Sequence, residues 1–78
     1  MLREERELKK IGERLKKLRI KKGHTSYESF AIEYGFSRMQ YWRLEQGKTN
    51  LTLRSLISVL NIHKISIEDF FSKGFEEL

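Results

Sequence analysis

Residues 27–46 read YESFAIEYGFSRMQYWRLEQ, and their pattern decides the fold. Phe30, Tyr34, Phe36, Tyr41 and Leu44 recur at helical spacing on either side of one glycine, so all five are expected to point inward. Ala31 falls where two helices would cross, and a small side chain there lets the backbones approach. Gly35 is placed to turn the chain through positive φ, which costs glycine least. Ser37 is followed three residues later by Gln40, the spacing of a capping box that starts a new helix. Two short helices joined by so tight a turn hold the second one proud of the surface, as a helix-turn-helix requires.

The same punctuation extends in both directions. The chain has no proline, and Gly23, Gly35, Gly47 and Gly74 each follow a segment of helical periodicity. Ser66 with Asp69 repeats the capping-box spacing. With Ser37, Thr52 and Ser66 as N-caps, three hydrophobic staples fall into register: Phe36 with Tyr41, Leu51 with Leu56, and Ile65 with Phe70. The first helix carries one apolar stripe, Leu8, Ile11, Leu15 and Leu18. Gly12 interrupts it at a cost of about 1 kcal/mol relative to alanine, so residues 1–10 are expected as a charged helical extension, frayed or separately docked. The second helix is expected from about Ser26 to Tyr34, capped by either Thr25 or Ser26. The third is expected over Arg38–Gln46. The fourth is expected over Leu53–Leu60, with Leu53, Leu56, Ile57 and Leu60 inward and Asn61 as C-cap. The fifth is expected over Ile67–Lys73, burying Phe70 and Phe71. Residues 64–67 are β-branched enough to pass for a strand but too short and unpaired. The expected fold is an all-α, compact five-helix bundle containing a helix-turn-helix, with a domain over residues 11–73 and a short tail over 74–78.

As a set, several segments resemble the lambda-repressor-like Cro/CI helix-turn-helix domains, also called XRE-type. They are Ile11-Gly12-Glu13-Arg14-Leu15, Leu18-Arg19, Phe30-Ala31, Gly35-Phe36-Ser37-Arg38, Arg43-Leu44-Glu45-Gln46-Gly47-Lys48, and Ile65-Ser66-Ile67-Glu68-Asp69-Phe70-Phe71. The resemblance covers roughly Ile11 to Phe71. Two departures stand out: the interval from Gly23 to Gly35 is one residue longer than usual, and the recognition helix carries bulky Met39 and Trp42.

The resemblance implies sequence-specific binding of double-stranded DNA, with the third helix in the major groove. Arg38, Met39, Gln40, Trp42 and Arg43 form its outward face and are the candidate base contacts. Arg38 either forks onto guanine or clamps a phosphate. Met39 offers apolar contact, for instance with a thymine methyl, or idles at the surface. Gln40 reads adenine or is consumed by its cap. Trp42 packs on the groove wall, lies on the second helix, or marks a protein-binding surface. Candidate phosphate contacts are Ser26 and Tyr27 at a helix N-terminus, then Lys48, Thr49, Asn50 and Arg54. The resemblance also implies a partly buried bidentate pair between Arg19 and Glu45, bridging the first and third helices.

Composition limits the alternatives. The 78 residues include no cysteine, which excludes disulfides, thiolate metal sites and cysteine nucleophiles. His24 and His63 are the two histidines and are expected at the surface or in caps, so no metal site is expected. No nucleophile–base–orienter set and no phosphate-cradling glycine loop can be assembled, so no enzyme, cofactor or small-molecule site is expected. Charge is asymmetric: residues 1–48 hold thirteen bases and seven acids, residues 49–78 three bases and four acids. Residues 14–22 alone hold six bases and no acid. Such a distribution fits either a polyanion binder or a solvated helix face. Residues 1–10 mix acids and bases around no apolar stretch, unlike a secretory signal, and a cytoplasmic location is expected.

The leading expectation is thus a repressor-like transcriptional regulator acting as a homodimer through Phe71, Phe75 and Leu78, with recognition helices about 34 Å apart on an inverted repeat. The competing one is a protein-interaction helix-turn-helix module, such as an antitoxin or anti-repressor, using the surface of Met39 and Trp42. Binding to an anionic membrane would need an exposed apolar stripe, and that of the first helix is committed to the core.

Overall fold

Five capped helices follow one another in the computed structural model, which describes residues 3–48 and 51–72. They are α1 (Arg3–Lys21), α2 (Tyr27–Tyr34), α3 (Arg38–Gln46), α4 (Leu53–His63) and α5 (Ile67–Phe70). No strand occurs among the described residues. The caps lie largely where the sequence puts them. The hydroxyls of Ser37, Thr52 and Ser66 accept from the backbone N–H of Gln40, Ser55 and Asp69 at 3.4, 3.0 and 3.1 Å. Ser26 rather than Thr25 caps α2, accepting from the N–H groups of Glu28 and Ser29.

Gly35 and Gly47 end α2 and α3 in the left-handed conformation, with φ of 77° and 69°. The N–H of Phe36 then reaches back to the carbonyl of Ala31, and that of Lys48 to the carbonyl of Arg43, at 2.8 and 3.0 Å. These six-to-one bonds close Schellman motifs and aim the next segment. Gly23 closes α1 in the same way, with the His24 N–H on the carbonyl of Arg19. Gly74 lies outside the described residues.

The helix ends depart from expectation at three places. Residues 3–10 are neither frayed nor separate: α1 runs unbroken through Gly12, which is buried. A Cβ at Gly12 would overlap the carbonyl oxygen of Glu45 and stand 2.7 Å from that of Leu44. A Cβ at Gly47 would in turn stand 2.8 Å from Cα of Lys9. The two glycines let α1 and the end of α3 meet backbone to backbone, which offsets the propensity cost of Gly12.

The second departure is that α4 extends to His63, so Asn61 is helical rather than the C-cap. The left-handed position falls on Lys64, at φ 56°, and Ile65 N–H bonds the carbonyl of Leu60. Burial of Val59 with Leu56 and Leu60 also rotates the inward face away from the expected one. Leu53 and Ile57 are exposed. Ile57 lies about 100° around the axis from the middle of the buried arc at 3.6 residues per turn. Leu53 shares that arc's general direction, but it sits in the first turn, beyond the residues that cover the rest. The third departure is α5, a single turn whose C-cap is Phe71. Phe70 is fully buried, whereas Phe71 is 40% exposed with its ring edge-on to Phe70 at 4.9 Å. Lys73 lies outside the described residues.

Leu15, Phe30, Ala31, Tyr41, Leu56, Val59, Leu60 and Phe70 form the core, and Ile11, Leu18, Tyr34, Phe36 and Leu44 pack around it. Phe30 is its hub, within 5.0 Å of the Tyr41 ring and 4.9 Å of the Tyr34 ring. His63 is half-buried against this core rather than a surface residue: its ring stacks on Phe30 at 5.4 Å and 7°, and its Nε2 is buried without a partner among the described residues. Burial, and secondarily Lys22 and His24, hold its pKa below the ordinary histidine value. The unfolded chain therefore takes up a proton near pH 6.5 that the folded one resists. Stability from this site is present above that pH and declines as pH falls toward the folded-state value. Melting followed by circular dichroism at pH 7.5 and 5.5 should reveal the drop. His63→Phe, which keeps the stack, should make it smaller; an equal drop in the variant would place the acid sensitivity elsewhere.

Candidate functional site

The exposed face of α3 is built by what the rest of the helix buries. Tyr41 is 1% exposed and Glu45 6%, which fixes the roll of the helix on the core. Glu45 is held by a fork: Arg19 Nε donates to Oε2 at 2.7 Å and Nη2 to Oε1 at 3.1 Å. Arg19 Nη1 also donates to the carbonyl of His24 at 2.8 Å, so one guanidinium ties α1, the turn before α2, and α3 together. The hydrogen-bonded carboxylate raises the Arg19 pKa, keeping the guanidinium charged in its buried position. Burial first, and then Glu45, push the Tyr41 phenol well above its usual range, so it stays neutral beside this pair.

With the helix so fixed, Arg38, Met39, Gln40 and Arg43 are exposed and Trp42 is half-buried. Arg38 and Met39 occupy the first turn, the part of α3 that stands furthest from Gly47 and α1. The backbone N–H of Gln40 is taken by the Ser37 cap, while its side chain borders a groove with Phe36, Leu44, Leu51, Thr52, Ser55, Ser58 and Val59. Trp42 has Lys48 Nζ 5.3 Å from its ring centroid, and it lines a cleft with Tyr27, Glu28, Arg38 and Met39.

The flanking candidates divide. Ser26 spends its hydroxyl on the N–H groups of Glu28 and Ser29, so of the first-turn amides of α2 it leaves that of Tyr27 to an outside acceptor. Tyr27 itself is half-buried against the core. Lys48 follows α3 and is exposed; Arg54, in the first turn of α4, is exposed as well. Thr49 and Asn50, between them, lie outside the described residues, as do Phe75 and Leu78. The cleft with Tyr27 and Glu28 sets Trp42 beside the second helix, one of the placements expected for it, whereas the contact of Lys48 with Trp42 had no counterpart in the sequence, because no spacing rule links a helix to the loop after its glycine cap.

Among the described residues no three histidine, aspartate or glutamate side chains come together as a metal site. No described helix is long and apolar enough to cross a membrane. His24 sits between Phe30 and Tyr34, with Nδ1 3.4 Å from Ser29 Oγ and Nε2 3.6 Å from Glu33.

A three-residue glycine turn between two short helices, the second fastened from behind and charged in front, defines a small helix-turn-helix domain. The chain is 36% identical over 63 residues to Control protein C.MunI of a Mycoplasma species, an alignment covering 81% of this chain and 85% of that protein. It is 41% identical over 64 residues to the SPbeta prophage-derived uncharacterized HTH-type transcriptional regulator YonR of Bacillus subtilis strain 168, covering 82% of this chain and 57% of that regulator. The chain belongs to the XRE-like helix-turn-helix regulator family. No family model and no solved structure matches it.

Proposed function

We propose that this protein is a sequence-specific DNA-binding transcriptional regulator that acts as a homodimer on an operator. The observation that carries the reading is the fixed roll of α3: Tyr41 and Glu45 are locked inward, Met39 and Arg43 project from the opposite side, and Arg38 and Gln40 are exposed in its first turn. A helix presented in that way fits the major groove, with its N-terminal residues nearest the base edges. Arg38 forks onto guanine, and Gln40 offers an amide to adenine. Arg43, Lys48 and Arg54, with the Tyr27 amide at the start of α2, track the phosphates, joined by Thr49 and Asn50. One relative is named a control protein and the other an HTH-type transcriptional regulator, which supports the same reading. A symmetric dimer would set two such helices about one helical turn of DNA apart, with Phe71, Phe75 and Leu78 in the subunit contact.

Selection from a random duplex pool, followed by fluorescence anisotropy on the enriched site, tests this. Three neutralised phosphates per protomer predict a loss of about 10³-fold in affinity between 50 and 200 mM salt. Arg38→Ala should remove about 1–3 kcal/mol of discrimination between the selected and a scrambled duplex. Arg43→Ala should weaken both more evenly and lower the salt slope. Absence of binding to any duplex at low salt would overturn the proposal.

A further inference from the structure

We propose that the cleft between α2 and α3 is a reader of the thymine 5-methyl group, with Met39 and Trp42 as its specificity-determining residues; this rests on the DNA-binding reading above. The cleft is lined by Tyr27 and Glu28 from the first turn of α2 and by Arg38, Met39 and Trp42 from α3. Three of its five walls are thus aromatic or thioether, on a helix face otherwise made of arginine and glutamine. Met39 is 60% exposed, an apolar side chain held in water at the turn of α3 that would meet base edges first. Trp42 stands one turn further along, and Lys48 Nζ, 5.3 Å from its ring centroid, braces the indole. Trp42 is itself half-buried beside Tyr27 and Glu28, so the ring is part of a formed surface.

In the major groove the base edges are polar apart from one group, the methyl at C5 of thymine. An apolar cleft on a reading helix has that group as its natural occupant. Arg38 lines the same cleft, so the base whose methyl enters stands next to the guanine that Arg38 forks. A long thioether side chain adapts its shape to a methyl at little conformational cost. Gln40 and Arg43, by contrast, lie outside this cleft and read or clamp polar groups.

The test exchanges each thymine of the selected duplex, one at a time, for deoxyuridine, which removes the methyl and leaves pairing intact. Wild-type protein should lose about fourfold in affinity at one thymine per half-site, the size expected for returning one methyl to water. Met39→Ala, an exposed substitution that leaves the melting temperature unchanged, should bind the thymine and deoxyuridine duplexes equally, and Trp42→Leu should reduce the difference. Wild-type binding that is tight but indifferent to every deoxyuridine overturns the methyl-reading cleft while the DNA-binding reading stands. So does a methyl effect that survives in both variants. No binding to any duplex overturns both.

Discussion

Gly12→Ala is expected to destabilise the protein by about 3 kcal/mol or more, although the same change in an ordinary helix interior gains about 1 kcal/mol. The reversal comes from backbone rather than side-chain contact. The added methyl would overlap the Glu45 carbonyl oxygen and crowd that of Leu44, and neither can swing aside as the end of a flexible side chain does. Relief requires α1 to lift from the end of α3. That movement would pull Lys9 from Gly47 and stretch the fork between Arg19 and Glu45, so the cost spreads along the whole interface. A domain of this size is stable by about 4–12 kcal/mol in total, and each kcal/mol moves the midpoint about 4–8 °C. Thermal melting should thus show a loss of about 12–24 °C. Lys16→Ala, exposed on the same helix, should stay within about 0.5 kcal/mol of wild type. A Gly12→Ala protein that melts at or above the wild-type temperature would mean that α1 does not rest on α3 in solution.

That expectation also marks where the sequence could and could not be read. Helix starts were legible because a cap is a local event: Ser37, Thr52 and Ser66 each need only a backbone N–H three residues on. The end of α3 was legible for the same reason, since Gly47 is cheap at positive φ. The end of α4 was not, because Asn61 and Lys64 both can take the left-handed position. The choice fell to Lys64 only when His63 and Ile62 found places against the core. Gly12 read as a helix interruption because its neighbour in space, the carbonyl of Glu45, is over thirty residues away in the chain. Ile57 and Val59 are interchangeable to a hydropathy pattern, and only the tertiary core that Val59 shares with Leu60 and Phe70 of α5 separates them. At the candidate site, the outward face of α3 followed from which residues were apolar. The cleft that joins Trp42 to Glu28, and the cation over its ring, depend on the crossing of α2 and α3 and on the turn after Gly47.

Removing one member of the Arg19–Glu45 pair should be the other large effect, about 3–5 kcal/mol for Arg19→Ala or Glu45→Ala. Both side chains are nearly inaccessible, at 4% and 3%, so either deletion strands a charge where water cannot solvate it. In Glu45→Ala the stranded guanidinium keeps the His24 carbonyl but loses its counter-charge. In Arg19→Ala the stranded carboxylate lies beside a Tyr41 hydroxyl that has no hydrogen-bond partner of its own. That phenol interacts with Glu45 and can donate to its carboxylate, so Arg19→Ala should be the milder of the two. Salt should alter neither loss much, because buried charges are poorly screened. The double substitution Arg19→Met with Glu45→Leu removes both charges together and should recover most of the lost stability, as well-packed apolar pairs often equal a buried ion pair. If the single variants melt within a few degrees of wild type, the pair is solvated and loose rather than buried. Recovery in the double variant also separates stability from placement. A fork fixes direction as well as distance, whereas methionine and leucine fix neither. The double variant should therefore melt close to wild type and yet bind the selected duplex more weakly, because the roll of α3, and with it the aim of Arg38 and Met39, is no longer tied to α1.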